Sequence, residues 1–108
     1  MTQNLQYSMI ISSINDKTAA QLIAKTLVTQ KACACVNIIP NVQSIYSWND
    51  EVVFEDEFLI LIKTIKSKVS KVRELILNNH PYQIPEIIEL DICSGYDKYL
   101  DWIYVNSK

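Results

Sequence analysis

The run Phe58-Leu59-Ile60-Leu61-Ile62 restricts the fold more than any other stretch of the chain. It lies inside a β-patterned segment, Val52 to Thr64, yet its apolar residues do not alternate with polar ones. A strand apolar on both sides is normally buried on both sides. The sheet that holds it therefore needs cover on two faces, and the rest of the chain has to supply that cover or borrow it.

The neighbouring segments show how much the chain itself supplies. The short apolar run from Tyr7 to Ile14 reads as a strand. Asn15 and Asp16 then offer N-cap oxygens to a helix whose stripe is Ala20, Ile23, Ala24, Leu27 and Val28. From Cys35 to Trp48 the residues are β-branched and aromatic, interrupted by Pro40, which implies a bulge, a bend or an edge. Asn49-Asp50-Glu51 breaks this strand from the next and predicts a long hairpin. Lys66-Ser67-Lys68 opens a second helix, with Ser67 as the expected cap and Val69, Val72, Leu75 and Ile76 as its stripe. His80-Pro81 stops it, because the residue before proline disfavours the helical region. Ile88, Leu90 and Ile92 alternate with Glu89, Asp91 and Cys93 as in a half-buried strand. After Gly95, the residues Tyr96, Tyr99, Leu100 and Ile103 predict a short terminal helix, with Trp102 beside the stripe. The order is β-α-β-β-α-β plus that helix: an α+β, ferredoxin-like sandwich in one domain, residues 1–108, with two helices over one face of a four-stranded antiparallel sheet. The other face is left to the terminal helix, only roughly 15 Å long, or to a second subunit, and the second subunit is expected there.

Composition removes whole classes of function. One glycine among 108 residues excludes glycine-rich phosphate cradles, and one histidine excludes a zinc site with several histidines from one chain. A net charge of −2 gives no electrostatic footprint for nucleic acid or an anionic membrane. No apolar run approaches the roughly 20 residues of a membrane span. Three cysteines and a polar start, Met1-Thr2-Gln3-Asn4, give neither a disulfide framework nor a secretory leader, so a cytoplasmic protein is expected. Cys33 and Cys35 read as small apolar residues at a helix-to-strand junction, with a soft-metal pair as the alternative.

Several polar residues ask for a reason. Glu57 and Lys63 share one face of their strand, with Leu59 and Leu61 between them, but lie roughly 20 Å apart. Each is expected to meet a partner from elsewhere: Glu57 near the His80 loop, Lys63 near a carboxylate. The cluster Glu55, Asp56, Glu57 reads by itself as a solvated edge. The loop His80-Pro81-Tyr82-Gln83-Ile84-Pro85-Glu86 is stiffened by two prolines and carries a possible imidazole ligand, with Glu57 or Glu86 as oxygen donors. No nucleophile-base-orienter set can be assembled, so no enzyme is expected.

The ordered set Cys35-Val36-Asn37-Ile38-Ile39-Pro40, Ser44-x-Tyr46-x-Trp48, Glu57, Lys63-Thr64, His80-Pro81-Tyr82-x-x-Pro85-Glu86, Gly95, Tyr99 and Trp102 resembles the CutA divalent-cation-tolerance family from about residue 8 to residue 103. The resemblance implies a tight homotrimer similar in architecture to PII signalling proteins, and a link to copper and other divalent cations, with none of them obligatory. Carried over by position, it implies metal ligands at His80, Glu57 and Cys35, and further cleft residues at Tyr46, Trp48, Lys63 and Glu86. Asp50 stands where the family often has glycine, and Ser12-Ser13 where some members carry a thiol. Three functions remain open: a metal-responsive trimer binding copper or another divalent cation in inter-subunit clefts, a PII-like signalling module taking a small anion or nucleotide there, or a structural protein whose only role is assembly with a partner. In the second, Lys63 supplies the charge and Tyr46 or Trp48 the stacking surface.

Overall fold

The computed structural model describes residues 5–108; the polar start at Met1–Asn4 lies outside them. The chain runs β1 (Tyr7–Ile14), α1 (Lys17–Thr29), β2 (Cys35–Trp48), β3 (Glu51–Ile65), α2 (Val69–Asn79), β4 (Ile88–Ile92) and α3 (Asp97–Ser107). The four strands form one antiparallel sheet in the order β2-β3-β1-β4. Asp16 caps α1 by accepting from the Ala19 N–H. The second helix starts later than its composition suggests. Lys66–Lys68 form one 3₁₀ turn, α2 begins at Val69, and no side chain caps it, so Ser67 is not a cap.

Residue parity decides what each face of the sheet meets. Ile10, Ile60 and Ile62 turn toward the helices and pack with Ile23, Leu27, Val72 and Ile76 in a fully buried core. The other parity brings Met9, Ile11, Leu59, Leu61, Ile88 and Leu90 onto the second face. There α3 covers one end only, where Ile103 packs with Ile65, Ala34, Tyr7 and Leu100. Tyr96 falls outside the helix as its N-cap residue and is exposed rather than part of the buried stripe. The rest of that face stays open in the single chain: Ile88 is 48% exposed and Leu90 44%.

The β2–β3 hairpin projects beyond the helices and makes the molecule 53 Å long against 25 × 22 Å. It turns at Asn49 and Asp50, both with positive φ (52° and 64°). Two consecutive residues with positive φ are the type I′ pattern whose twist matches that of the strands. The interruption at Pro40 is a bulge. Ile39 faces Leu59 but Val42 faces Glu57, so β2 carries one extra residue, and Asn41 takes the left-handed conformation at φ 62°. That residue reverses side-chain parity along the outer half of β2. Without it, Asn41, Gln43 and Ile45 would share a face with Glu57; with it, Val42, Ser44, Tyr46 and Trp48 do.

Candidate functional site

The bulge builds one wall of a cavity of about 630 Å³ at the root of the hairpin. Tyr46 and Trp48 come from β2, Glu55 and Glu57 from β3, Ser13 from the end of β1, and Tyr82, Ile84 and Glu86 from the loop after α2. Among the described residues the lining holds three carboxylates and no lysine or arginine.

Glu57 is the buried member, at 6% exposure, so the solvated-edge reading of its cluster fails for Glu57, while Asp56 is exposed as expected. Tyr82 donates its hydroxyl to Glu57 Oε2 at 2.6 Å. Burial, and then that bond to a carboxylate, push the Tyr82 phenol well above its ordinary range, so it stays a neutral donor. Glu55 accepts from Tyr46 at 2.7 Å and from Asn15 Nδ2 at 2.6 Å. The bond to Glu55 raises the Tyr46 phenol in the same direction. Ser13 donates to Glu86 Oε1 at 3.3 Å.

His80 stands behind this wall. Its Nε2 donates to the Ser13 carbonyl at 2.8 Å, and its Nδ1 accepts the Tyr82 N–H at 3.1 Å. A carbonyl can only accept and an amide N–H can only donate, so the two partners fix the imidazole tautomer and occupy both ring nitrogens. The rings of His80 and Tyr82 meet edge to face, 4.5 Å between centroids. The imidazole thus clamps the stiff loop to the end of β1, and the loop delivers Tyr82 to Glu57.

The residues singled out by sequence therefore divide. Tyr46, Trp48, Glu57 and Glu86 line one cavity, with His80 one residue behind it. Lys63 and Cys35 lie elsewhere, opposite each other near the far end of β3, six β3 residues from Glu57 and roughly 20 Å away. Lys63 reaches no carboxylate among the described residues. Its Nζ meets the Tyr99 hydroxyl at 3.3 Å and stands 5.6 Å from the centre of that ring, which stacks on Trp102. Cys33, the other half of the cysteine pair, is buried, and burial pushes its thiol up to about 12, which suits a packed apolar residue. Among the described residues no three His, Cys, Asp or Glu side chains converge closely enough to hold a metal ion. Glu55 and Tyr82 were not picked out by sequence as cavity residues. Glu55 shares its parity with Glu57, and that was a readable signal.

Sheet order, flanking helices and the projecting hairpin define an α+β protein of PII-like architecture. The chain belongs to the CutA1 divalent ion tolerance protein family, which it matches over residues 8–106. It is 40% identical over 99 residues to the divalent-cation tolerance protein CutA of Thermus thermophilus, covering 92% of this chain and 96% of that one. A solved structure of the Thermus protein superposes with a TM-score of 0.91 at 39% identity, over 94% of this chain and 99% of that one. The chloroplastic protein CutA of Arabidopsis thaliana is 37% identical over 95 residues, 88% of this chain but 52% of the relative. The PII-like protein CutA from Nostoc superposes at 0.86 with 27% identity, over 94% and 97% of the two chains. These names are not names of enzymes. No helix among the described residues is long and apolar enough to cross a membrane.

Proposed function

We propose that this protein serves divalent-cation tolerance by binding copper, or another divalent cation, in clefts between the subunits of a homotrimer. The observation that carries this reading is the cavity at the hairpin root, with three carboxylates and no cationic side chain in its lining. Carboxylate and imidazole donors suit divalent cations. Among the described residues no three donors converge, and this reading draws the remaining ligands from a second chain. Glu57 and Glu86 are the oxygen donors. His80 joins them by exchanging Ser13 or Tyr82 for the metal, and Cys35 can take part only from a neighbouring subunit. No resident cofactor, nucleic acid or membrane enters this reading. The free cysteines support a reducing, cytoplasmic location.

The alternative ligand, a small anion or nucleotide, has Tyr46 and Trp48 to stack on but meets carboxylates where it needs a cation. The charge of the cavity favours the metal. Calorimetric titration with Cu²⁺ tests the choice. His80→Ala and Glu86→Gln should each weaken copper binding by about tenfold while the sedimenting mass is unchanged. Copper binding identical to wild type in both variants, or a nucleotide bound in place of copper, overturns the reading.

A further inference from the structure

The cavity at the hairpin root offers more than a metal ion uses. Its volume, about 630 Å³, falls in the range of pockets for small organic molecules, roughly 300–1,000 Å³. A divalent cation gathers its oxygen ligands within roughly 2–2.6 Å and fills a small part of such a space. The three carboxylates are spread over the walls rather than drawn together. Glu55 and Glu57 stand two residues apart on one face of β3, roughly 7 Å along the strand, and Glu86 comes from the loop after α2. Tyr46, Trp48 and Ile84 add exposed apolar surface to the same lining, and a metal ion gains nothing from it.

Hydrogen bonding narrows the ligand further. A buried carboxylate needs a counter-charge or several hydrogen bonds to remain ionised. The one donor to Glu57 among the described residues is the neutral Tyr82 hydroxyl, at Oε2, which leaves Oε1 without a partner. Glu86 has the Ser13 hydroxyl at Oε1 alone, and Glu55 accepts only from the neutral Tyr46 and Asn15. The ion pairs among the described residues are those of Lys66 with Glu89 and Asp91, so none of the three cavity carboxylates is in one. A quaternary ammonium brings charge but no N–H, and leaves Glu57 Oε1 unsatisfied. An amino acid or a nucleotide brings anionic oxygens against carboxylates. Primary and secondary ammonium groups bring charge and N–H together, and they and their methylenes pack on aromatic faces. We propose that the cavity binds a linear aliphatic polyamine, its ammonium groups meeting Glu57, Glu86 and Glu55 while its methylene spacers lie along Tyr46, Trp48 and Ile84. Three ammonium groups on one flexible chain match three carboxylates that do not converge.

The polyamine shares its cavity, and the cation-free lining, with the metal of the proposed function, and separate titrations of the assembled wild type with spermidine and with Cu²⁺ tell the two apart. Calorimetry should show spermidine binding about a hundredfold more tightly than propylamine or choline, because its charges engage several carboxylates at once. Trp48→Ala and Glu55→Gln should each weaken spermidine binding by about tenfold. Glu74→Gln, exposed on α2, should leave it unchanged. No spermidine binding up to millimolar concentration, or propylamine or choline bound as tightly, overturns the polyamine site. Binding unaltered in both cavity variants, or an equal loss in Glu74→Gln, overturns it as well. Copper bound without spermidine overturns the polyamine alone. Spermidine bound without copper supports it and overturns the metal reading.

Discussion

At the scale of single residues, Tyr82 holds the site in shape. It spans from the His80 ring, through its own backbone N–H, to the buried Glu57 carboxylate, through its hydroxyl. Hydrogen bonds to charged groups are worth about 1.5–3 kcal/mol, and Tyr82→Phe should cost that much in urea denaturation. The phenol's raised folded value also fixes a sign. A group whose folded value lies above its unfolded one contributes stability below the ordinary tyrosine range, about pH 10, and loses it as the pH rises further. Tyr82→Phe should therefore flatten the alkaline limb of the stability curve as well as lower its plateau. A wild-type plateau, or an alkaline limb as steep as that of wild type, would show that the bond to Glu57 does not hold the loop. Sequence placed His80, Tyr82 and Glu86 on one stiff loop and set Glu57 near it, because prolines and strand parity are local signals. It could not read that both imidazole nitrogens are taken, since Ser13 lies 67 residues away and only the fold brings its carbonyl within reach.

At the scale of elements, the hairpin shows which signals travel through sequence and which do not. The bounds of β2 were legible because its β-branched and aromatic residues stop abruptly at the polar turn. Pro40 announces a bulge, a bend or an edge, but nothing local says which of these forms or which residue is the extra one, and that choice decides whether Tyr46 or Ile45 shares a face with Glu57. Serine flanked by lysines resembles a cap and points to too early a start for α2, whereas the chain first tightens into a 3₁₀ turn. The hairpin turn offers a direct test of local strain. Asn49 and Asp50 both adopt positive φ, which glycine takes without a Cβ clash. Asp50→Gly gives the Asn-Gly pair that type I′ turns prefer, and should stabilise the protein by about 1 kcal/mol. A raised thermal midpoint with unchanged far-ultraviolet circular dichroism is the expected result. An unchanged or lowered midpoint would mean that the aspartate side chain contributes more to the turn than relief of strain returns.

At the scale of the whole molecule, the run Phe58–Ile62 has only half its cover inside one chain. Ile60 and Ile62 are sealed beneath α1 and α2 and Phe58 packs half-buried beside them, while Leu59 and Leu61 lie on the face that α3 leaves open. The failure to alternate signals this open second face in sequence, because α3 is too short to reach across it. Leu90 lies on that face, opposite Met9, and is 44% exposed in the single chain. A charge placed there is tolerable while water can reach it, and surface changes of this kind usually move stability by less than about 0.5 kcal/mol. The same charge buried without a partner in a subunit interface costs about 2–5 kcal/mol per contact. Leu90→Glu should therefore leave the circular dichroism spectrum of the fold in place and reduce the sedimenting mass at micromolar concentration to that of one chain. Leu22→Glu, on the exposed outer side of α1, is the matched control and should leave the mass unchanged. If Leu90→Glu keeps the wild-type mass, the open face is not the one on which the subunits meet. If both variants dissociate, the loss comes from charge in general rather than from this face.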